Sequence, residues 1–167
     1  MRKVIYLLLI CCAVVVSGCG VYSFTGASIS PDIKSVSIAF FQNRASTVQP
    51  VLSQKFTEKL KDKFVSQTSL RVIPTAGDLQ FEGYISDYRT SPIAIQGTQT
   101  AALNRLSITV FVKFTNTKDN KQNFETSFSR YSDYVSTKSL SEVELGLIDE
   151  INKQLVDDIF NKAVSNW

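Results

Sequence analysis

Between residues 105 and 117 the chain alternates without a break. Leu106, Ile108, Val110, Val112 and Phe114 take one parity, and Arg105, Ser107, Thr109, Phe111, Lys113 and Thr115 the other. A period of two predicts a strand with one face on a core and the other face polar. Residues 33–41 alternate too, with Val36, Ile38 and Phe40 against Ser35, Ser37 and Ala39. So do residues 79–89, where Leu79, Phe81, Gly83 and Ile85 oppose Gln80, Glu82, Tyr84, Ser86 and Tyr88. Gly83, a glycine inside a strand pattern, points to a bulge or a close packing contact. Residues 70–73 form a short strand stopped by Pro74, and residues 123–134 return from the 105–117 strand through a hairpin loop at 117–121. Residues 90–102, with Pro92, Gly97 and a Gln/Thr run, read as the longest irregular stretch and expose Ile93 and Ile95. A loop of that length is often functional, the alternative being an extended hairpin end.

Two segments change period. Leu52, Phe56, Leu60 and Phe64 recur every fourth residue behind Pro50, and lysines and acids fill the spaces between them. That is an amphipathic helix from Pro50 to about Gln67, with proline in the first turn where its missing N–H costs nothing. Near the end, Ser139-Leu140-Ser141-Glu142 fits a capping box. It opens a helix whose stripe is Val143, Leu147, Ile148, Ile151, Leu155, Ile159 and Ala163. The order strand, helix, run of strands, helix predicts an α+β fold, a two-layer sandwich in which two helices pack on one face of a mixed, mostly antiparallel sheet. The other sheet face is expected to be open and polar, carrying Tyr84, Tyr88, Arg105, Lys113 and many Ser/Thr.

The N-terminus follows neither pattern. Arg2 and Lys3 precede an apolar run over residues 4–16, and small Ser17 and Gly18 precede Cys19. The run is too short to span a bilayer, which takes about 20 apolar residues. It has the three parts of a secretory signal, and its end matches a bacterial lipobox, whose cysteine is acylated before the signal is removed. The expected organisation is a signal peptide over 1–18, a lipidated tether over 19–32 and a single domain over 33–167. Several acyl chains hold where one binds reversibly, since each buried methylene contributes roughly 0.8 kcal/mol. Gly20 rather than an aspartate follows Cys19, and no acidic cluster does. This favours an outer membrane, lipid-anchored on its periplasmic side.

Composition then removes whole classes of chemistry. There is no histidine, and the three cysteines are Cys11 and Cys12 in the signal and Cys19 at the anchor. The domain is therefore expected to hold no imidazole, no free thiol and no disulfide, which excludes most hydrolase and metalloenzyme mechanisms. A carboxylate pair of the glycosidase kind survives in principle, but no two acids stand out for it. No cofactor or metal is called for. The chain has 18 basic and 15 acidic residues, and losing Arg2 and Lys3 leaves it close to neutral, without the basic excess that a nucleic-acid partner needs.

The segments Cys19-Gly20-Val21-Tyr22-Ser23-Phe24 with Gly26, 33–41, 77–88, 101–116 and 147–167 together resemble the LPS-assembly lipoproteins of the LptE family, most closely a divergent, non-enteric branch. The resemblance implies a non-enzymatic outer-membrane lipoprotein that plugs and helps assemble the β-barrel LptD and assists lipopolysaccharide insertion into the outer leaflet. No local motif carries over the family's lipid-binding positions. Arg89, Arg105, Lys113 and Arg130 are the candidates for lipopolysaccharide phosphates, because guanidinium and ammonium groups pair with phosphate. Pairing with neighbours such as Glu82 or Asp87 is the competing expectation for them. Tyr84, Tyr88, Ile93 and Ile95 are the candidates for contact with the barrel, whose interior is polar. The alternative is a periplasm-facing scaffolding lipoprotein with the same anchor and no lipopolysaccharide role.

Overall fold

The computed structural model describes residues 29–47, 49–93 and 102–164. Cys19 and its signal, Ile95 and Trp167 lie outside these described residues. In chain order the elements are β1 (Ser35–Ile38), β2 (Gln42–Asn43), α1 (Pro50–Gln67), β3 (Arg71–Ile73), β4 (Leu79–Ile93), β5 (Leu103–Asn116), a 3-10 turn (Asn120–Gln122), β6 (Phe124–Val135) and α2 (Leu140–Val164).

Both helices begin and pack as their sequences direct. Pro50 opens α1, and the Gln49 side chain accepts the Val51 N–H at 3.2 Å. Thr68 closes it by donating its N–H and its hydroxyl to the Phe64 carbonyl, at 3.1 and 2.6 Å. At the head of α2 the Ser139 N–H and hydroxyl both donate to the Glu142 carboxylate, at 2.7 and 2.6 Å. This is the carboxylate half of a capping box. Leu52, Phe56, Leu60 and Phe64 of α1, and Ile148, Ile151, Leu155 and Ile159 of α2, are fully buried. Lys59 to Asp149 (2.5 Å) and Lys63 to Asp157 (2.7 Å) link the two helices on their outer side.

The six-stranded sheet runs β3-β1-β4-β5-β6, and β2 pairs β4 off this path. β1 is parallel to both β3 and β4, while the long ladders β4–β5 and β5–β6 are antiparallel. The expected α+β sandwich with both helices on one face is what forms. Between the layers the phenylalanines touch in sequence. Phe64 meets Phe81 and Phe160, Phe81 meets Phe114, and Phe114 meets Phe124, with ring centroids 4.8–5.1 Å apart.

Two single-residue insertions break the alternation and correct the expected faces. Ile38 pairs with Phe81 and Gln42 with Tyr84, so one strand advances four residues where the other advances three. The extra residue reverses the parity. Phe40, expected inside, is 57% exposed, and Phe41 is fully buried in its place. The Phe41 N–H donates to the Thr57 hydroxyl on α1 at 3.1 Å. On β4 the register slips between Ile85 and Asp87, leaving Ser86 as a bulge whose hydroxyl donates to the Thr109 carbonyl at 3.2 Å. Tyr88, expected on the open face, turns under α2 and is buried.

Gly83 is the close contact, not the bulge. A Cβ there would lie 2.1 Å from the Phe111 carbonyl oxygen and 2.6 Å from the Phe41 ring. β4 also runs on through residues 90–93, pairing with Leu103–Leu106 on β5, so this part of the stretch read as irregular is the extended hairpin end given as its alternative. Pro92 is tolerated because β4 has no described neighbour on its other side beyond Ile85.

Candidate binding face

The sheet face away from the helices is built as rungs across β4, β5 and β6. From one end to the other they read Glu82–Lys113–Glu125, Tyr84–Phe111–Ser127, Asp87–Thr109–Ser129, Arg89–Ser107–Tyr131, Ser91–Arg105–Asp133 and Ile93–Leu103–Val135. The interior of the face is polar and its last rung is apolar. The strict alternation of β5 made its strand of this three-stranded face legible in the sequence.

Each candidate cation sits beside a carboxylate. Arg105 holds Asp133 with two hydrogen bonds, at 2.7 and 2.9 Å, and lies 3.5 Å above the centre of the Tyr131 ring. The hydrogen bond from Arg105 keeps the Asp133 carboxyl below its ordinary range, and the same bond raises the guanidinium. Lys113 stands 3.7 Å from Glu125 and opposite Glu82 in the ladder. Arg89 reaches Asp87 at 3.0 Å and is the most exposed of the four, with 71% of its side chain open. Arg130 is on the other face. It sits in the Ile108 rung and takes Asp158 of α2 with two bonds, at 2.5 and 2.7 Å.

Of the aromatic candidates, Tyr84 is on the open face, stacked on Phe111 at 5.2 Å with the Arg44 guanidinium 4.6 Å from its ring. Tyr88 is not. Its hydroxyl donates to the Glu144 carboxylate, and burial with that bond pushes the phenol well above its ordinary range. Ile93 is half-buried in the apolar rung. Phe111 stands on the face its parity assigned, though it was not among the contact candidates, and Arg44, Tyr131 and Asp133 were missed as members of the face. The signal for Phe111 as a contact was an aromatic at a polar-parity position; the other three depend on which strands become neighbours.

A concavity of about 500 Å3 opens at the end of the sheet where residue 29 enters. Its wall includes Ile29, Asp32, Lys118, Asp119, Lys121 and Lys162. Beside it, Asp78 ties three strand ends together. Its carboxylate accepts from the N–H groups of Lys34 and Ser35 at 2.9 and 3.0 Å, from the Ser35 hydroxyl at 2.9 Å, and faces Lys118 at 3.3 Å. Its own carbonyl accepts from Thr117. The backbone hydrogen bond from Lys34, followed by that from the Ser35 hydroxyl, lowers the Asp78 pKa to about 2.

Residues 33–163, both helices and the whole sheet, match the lipopolysaccharide-assembly family LptE. The chain belongs to the LptE family. No curated protein matches it. Among solved structures it is similar to a neuraminyllactose-binding hemagglutinin homolog from Helicobacter pylori, at 12% identity and a TM-score of 0.51, covering 84% of this chain and 88% of that one. It is also similar to the rare lipoprotein B of Shewanella oneidensis (17% identity, TM-score 0.49, 77% and 92% covered). A minor lipoprotein of Acinetobacter baumannii gives 14% identity, a TM-score of 0.48, and 79% and 96% covered. At these identities the likeness is one of fold alone. Among the described residues no helix is long and apolar enough to cross a membrane.

Proposed function

We propose that this LptE-family chain is a non-enzymatic outer-membrane lipoprotein, anchored through Cys19 on the periplasmic side, that docks in the LptD β-barrel, helps it assemble and assists lipopolysaccharide insertion. The observation that carries this reading is the family match over the whole two-layer domain. The open face adds to it. A sheet surface of Ser, Thr, Tyr and ion pairs loses little when it meets the polar wall of a barrel lumen, because Arg89, Arg105 and Lys113 already have carboxylate partners.

The ion pairs also rank the residues. Arg105 and Arg130 are each held by two bonds to one carboxylate, so phosphate would have to displace an acid. Arg89 and Lys113 are the more open cations and are the pair proposed to meet lipopolysaccharide phosphates. Tyr84 and the apolar rung at Ile93 are proposed to meet the barrel.

Purification from membranes followed by mass spectrometry tests the partner. A large outer-membrane barrel should accompany the protein, and depleting the protein should leave that barrel misassembled and the cell permeable. Normal barrel levels after depletion would overturn the reading. Palmitate labelling lost in Cys19→Ala tests the anchor; labelling that persists would remove it.

A further inference from the structure

The residue inserted between β1 and β2 does more than bury Phe41. From residue 40 onward the chain alternates again, with Phe41 and Ala45 buried and Phe40, Gln42 and Arg44 exposed. Gln42 pairs with Tyr84, so the three exposed side chains add a fourth column to the open face, beside Glu82 and Tyr84. An extra residue in a strand re-aims a side chain. Here that side chain is Phe40, at 57% the most exposed aromatic among the described residues. Further along the same column the Arg44 guanidinium rests on the Tyr84 ring, 4.6 Å from its centre, and Tyr84 is itself stacked on Phe111. Arg44 differs from the other cations of the face. Arg89, Arg105 and Lys113 each have a carboxylate, but among the described residues none pairs with Arg44. An aromatic ring holds its fork of N–H donors in place and leaves it open to a planar acceptor.

We propose that Phe40 and Arg44 are the anchor of this face on the barrel wall, Phe40 seating in an apolar recess of the wall and Arg44 taking one of its carboxylates. The inference rests on the docking reading above and names the residues that would hold it. Three features select a protein wall as the occupant. Exposed aromatics beside an arginine are the composition of the centre of a protein–protein contact, where a few such residues carry most of the affinity. The column of Phe40, Gln42 and Arg44 continues the face that carries Tyr84, so one rigid surface makes both contacts. A barrel lumen is lined with polar side chains and can offer the acid that the described residues do not supply to Arg44. Arg44 then pairs across the contact, while the ion pairs of Arg89, Arg105 and Lys113 stay within the chain.

The test uses the full chain, affinity-tagged and purified from native membranes, with the co-purified barrel as the readout. Phe40→Ala and Arg44→Gln should each lower barrel recovery about tenfold or more, the cost of losing a residue at the centre of a contact. Both should keep the circular dichroism and thermal transition of the wild type, since both side chains are exposed. Val65→Ala, which trims a side chain 62% exposed on α1, should recover the barrel at the wild-type level. A benzophenone amino acid in place of Phe40 should join the chain to the barrel on irradiation. If Arg44→Gln fails to fold, Phe40→Ala and the photoadduct decide. A wild type that brings down no barrel would remove the docking reading and this inference together. Wild-type recovery by either variant, an equal loss with Val65→Ala, or a photoadduct carrying lipopolysaccharide in place of the barrel would overturn the inference alone and leave the docking reading in place.

Discussion

Adjacent phenylalanines at 40 and 41 separate what the pattern says from what the fold does, and truncating each in turn measures the difference. Phe41 is fully buried, meets Phe56 edge-on at 5.1 Å, and presses toward Gly83, which has no side chain to move into a vacated space. Phe41→Ala should therefore cost near the upper part of the about 3–5 kcal/mol seen for buried Phe→Ala, the lost edge-to-face contact contributing roughly 0.5–1.5 kcal/mol of it. That is a large part of the roughly 5–15 kcal/mol that holds a typical domain. Phe40, 57% exposed, touches little, and Phe40→Ala should stay within about 0.5 kcal/mol of wild type. Urea denaturation of both variants followed by far-UV circular dichroism gives the two values. At about 2–4 °C per kcal/mol, Phe41→Ala should also melt on the order of ten degrees lower. Equal costs, or the larger cost at Phe40, would mean that the alternation continues through residue 40 and that the chain carries no extra residue between β1 and β2.

Three further outcomes follow from the same geometry. Gly83→Ala should destabilise by at least the about 1–3 kcal/mol of an overpacked core, because its nearest neighbour is the Phe111 carbonyl oxygen at 2.1 Å, a backbone atom that cannot rotate away; an unchanged urea midpoint would refute the contact. Tyr88→Phe removes the bond to the Glu144 carboxylate and should cost about 1.5–3 kcal/mol in thermal unfolding, whereas a tyrosine on the open face would tolerate the change. Asp78, with its carboxyl lowered from 3.8 to about 2, contributes stability that is complete above pH 4 and lost as pH falls toward 2. Asp78→Asn should be less stable than wild type at pH 7 and should lose less between pH 4 and pH 2, read as urea midpoint against pH; parallel profiles would show that the carboxylate is not what titrates.

The two-layer α+β architecture was readable because it depends on local periods. Leu52, Phe56, Leu60 and Phe64 recur at the helical spacing and Leu106 to Phe114 at the strand spacing. Each pattern selects its own backbone, since only that backbone brings the apolar side chains to one face. Pro50 and the Ser139–Glu142 pair mark helix starts for equally local reasons. A chain without histidine offers no imidazole however it folds, so composition alone narrowed the chemistry.

Tertiary structure decided what local pattern cannot carry. One added residue before Phe41 and another at Ser86 reverse parity, and a single reversal moves every later side chain on that strand to the opposite face. Alternation from residue 33 or 79 gives no sign of either, because each insertion is fixed by the strand alongside it. Strand order is of the same kind. That Arg105 finds Asp133, that Arg130 turns instead to Asp158 across the layer, and that β6 ends the sheet all follow from which strands become neighbours, which is a property of the packed sheet and of no single segment.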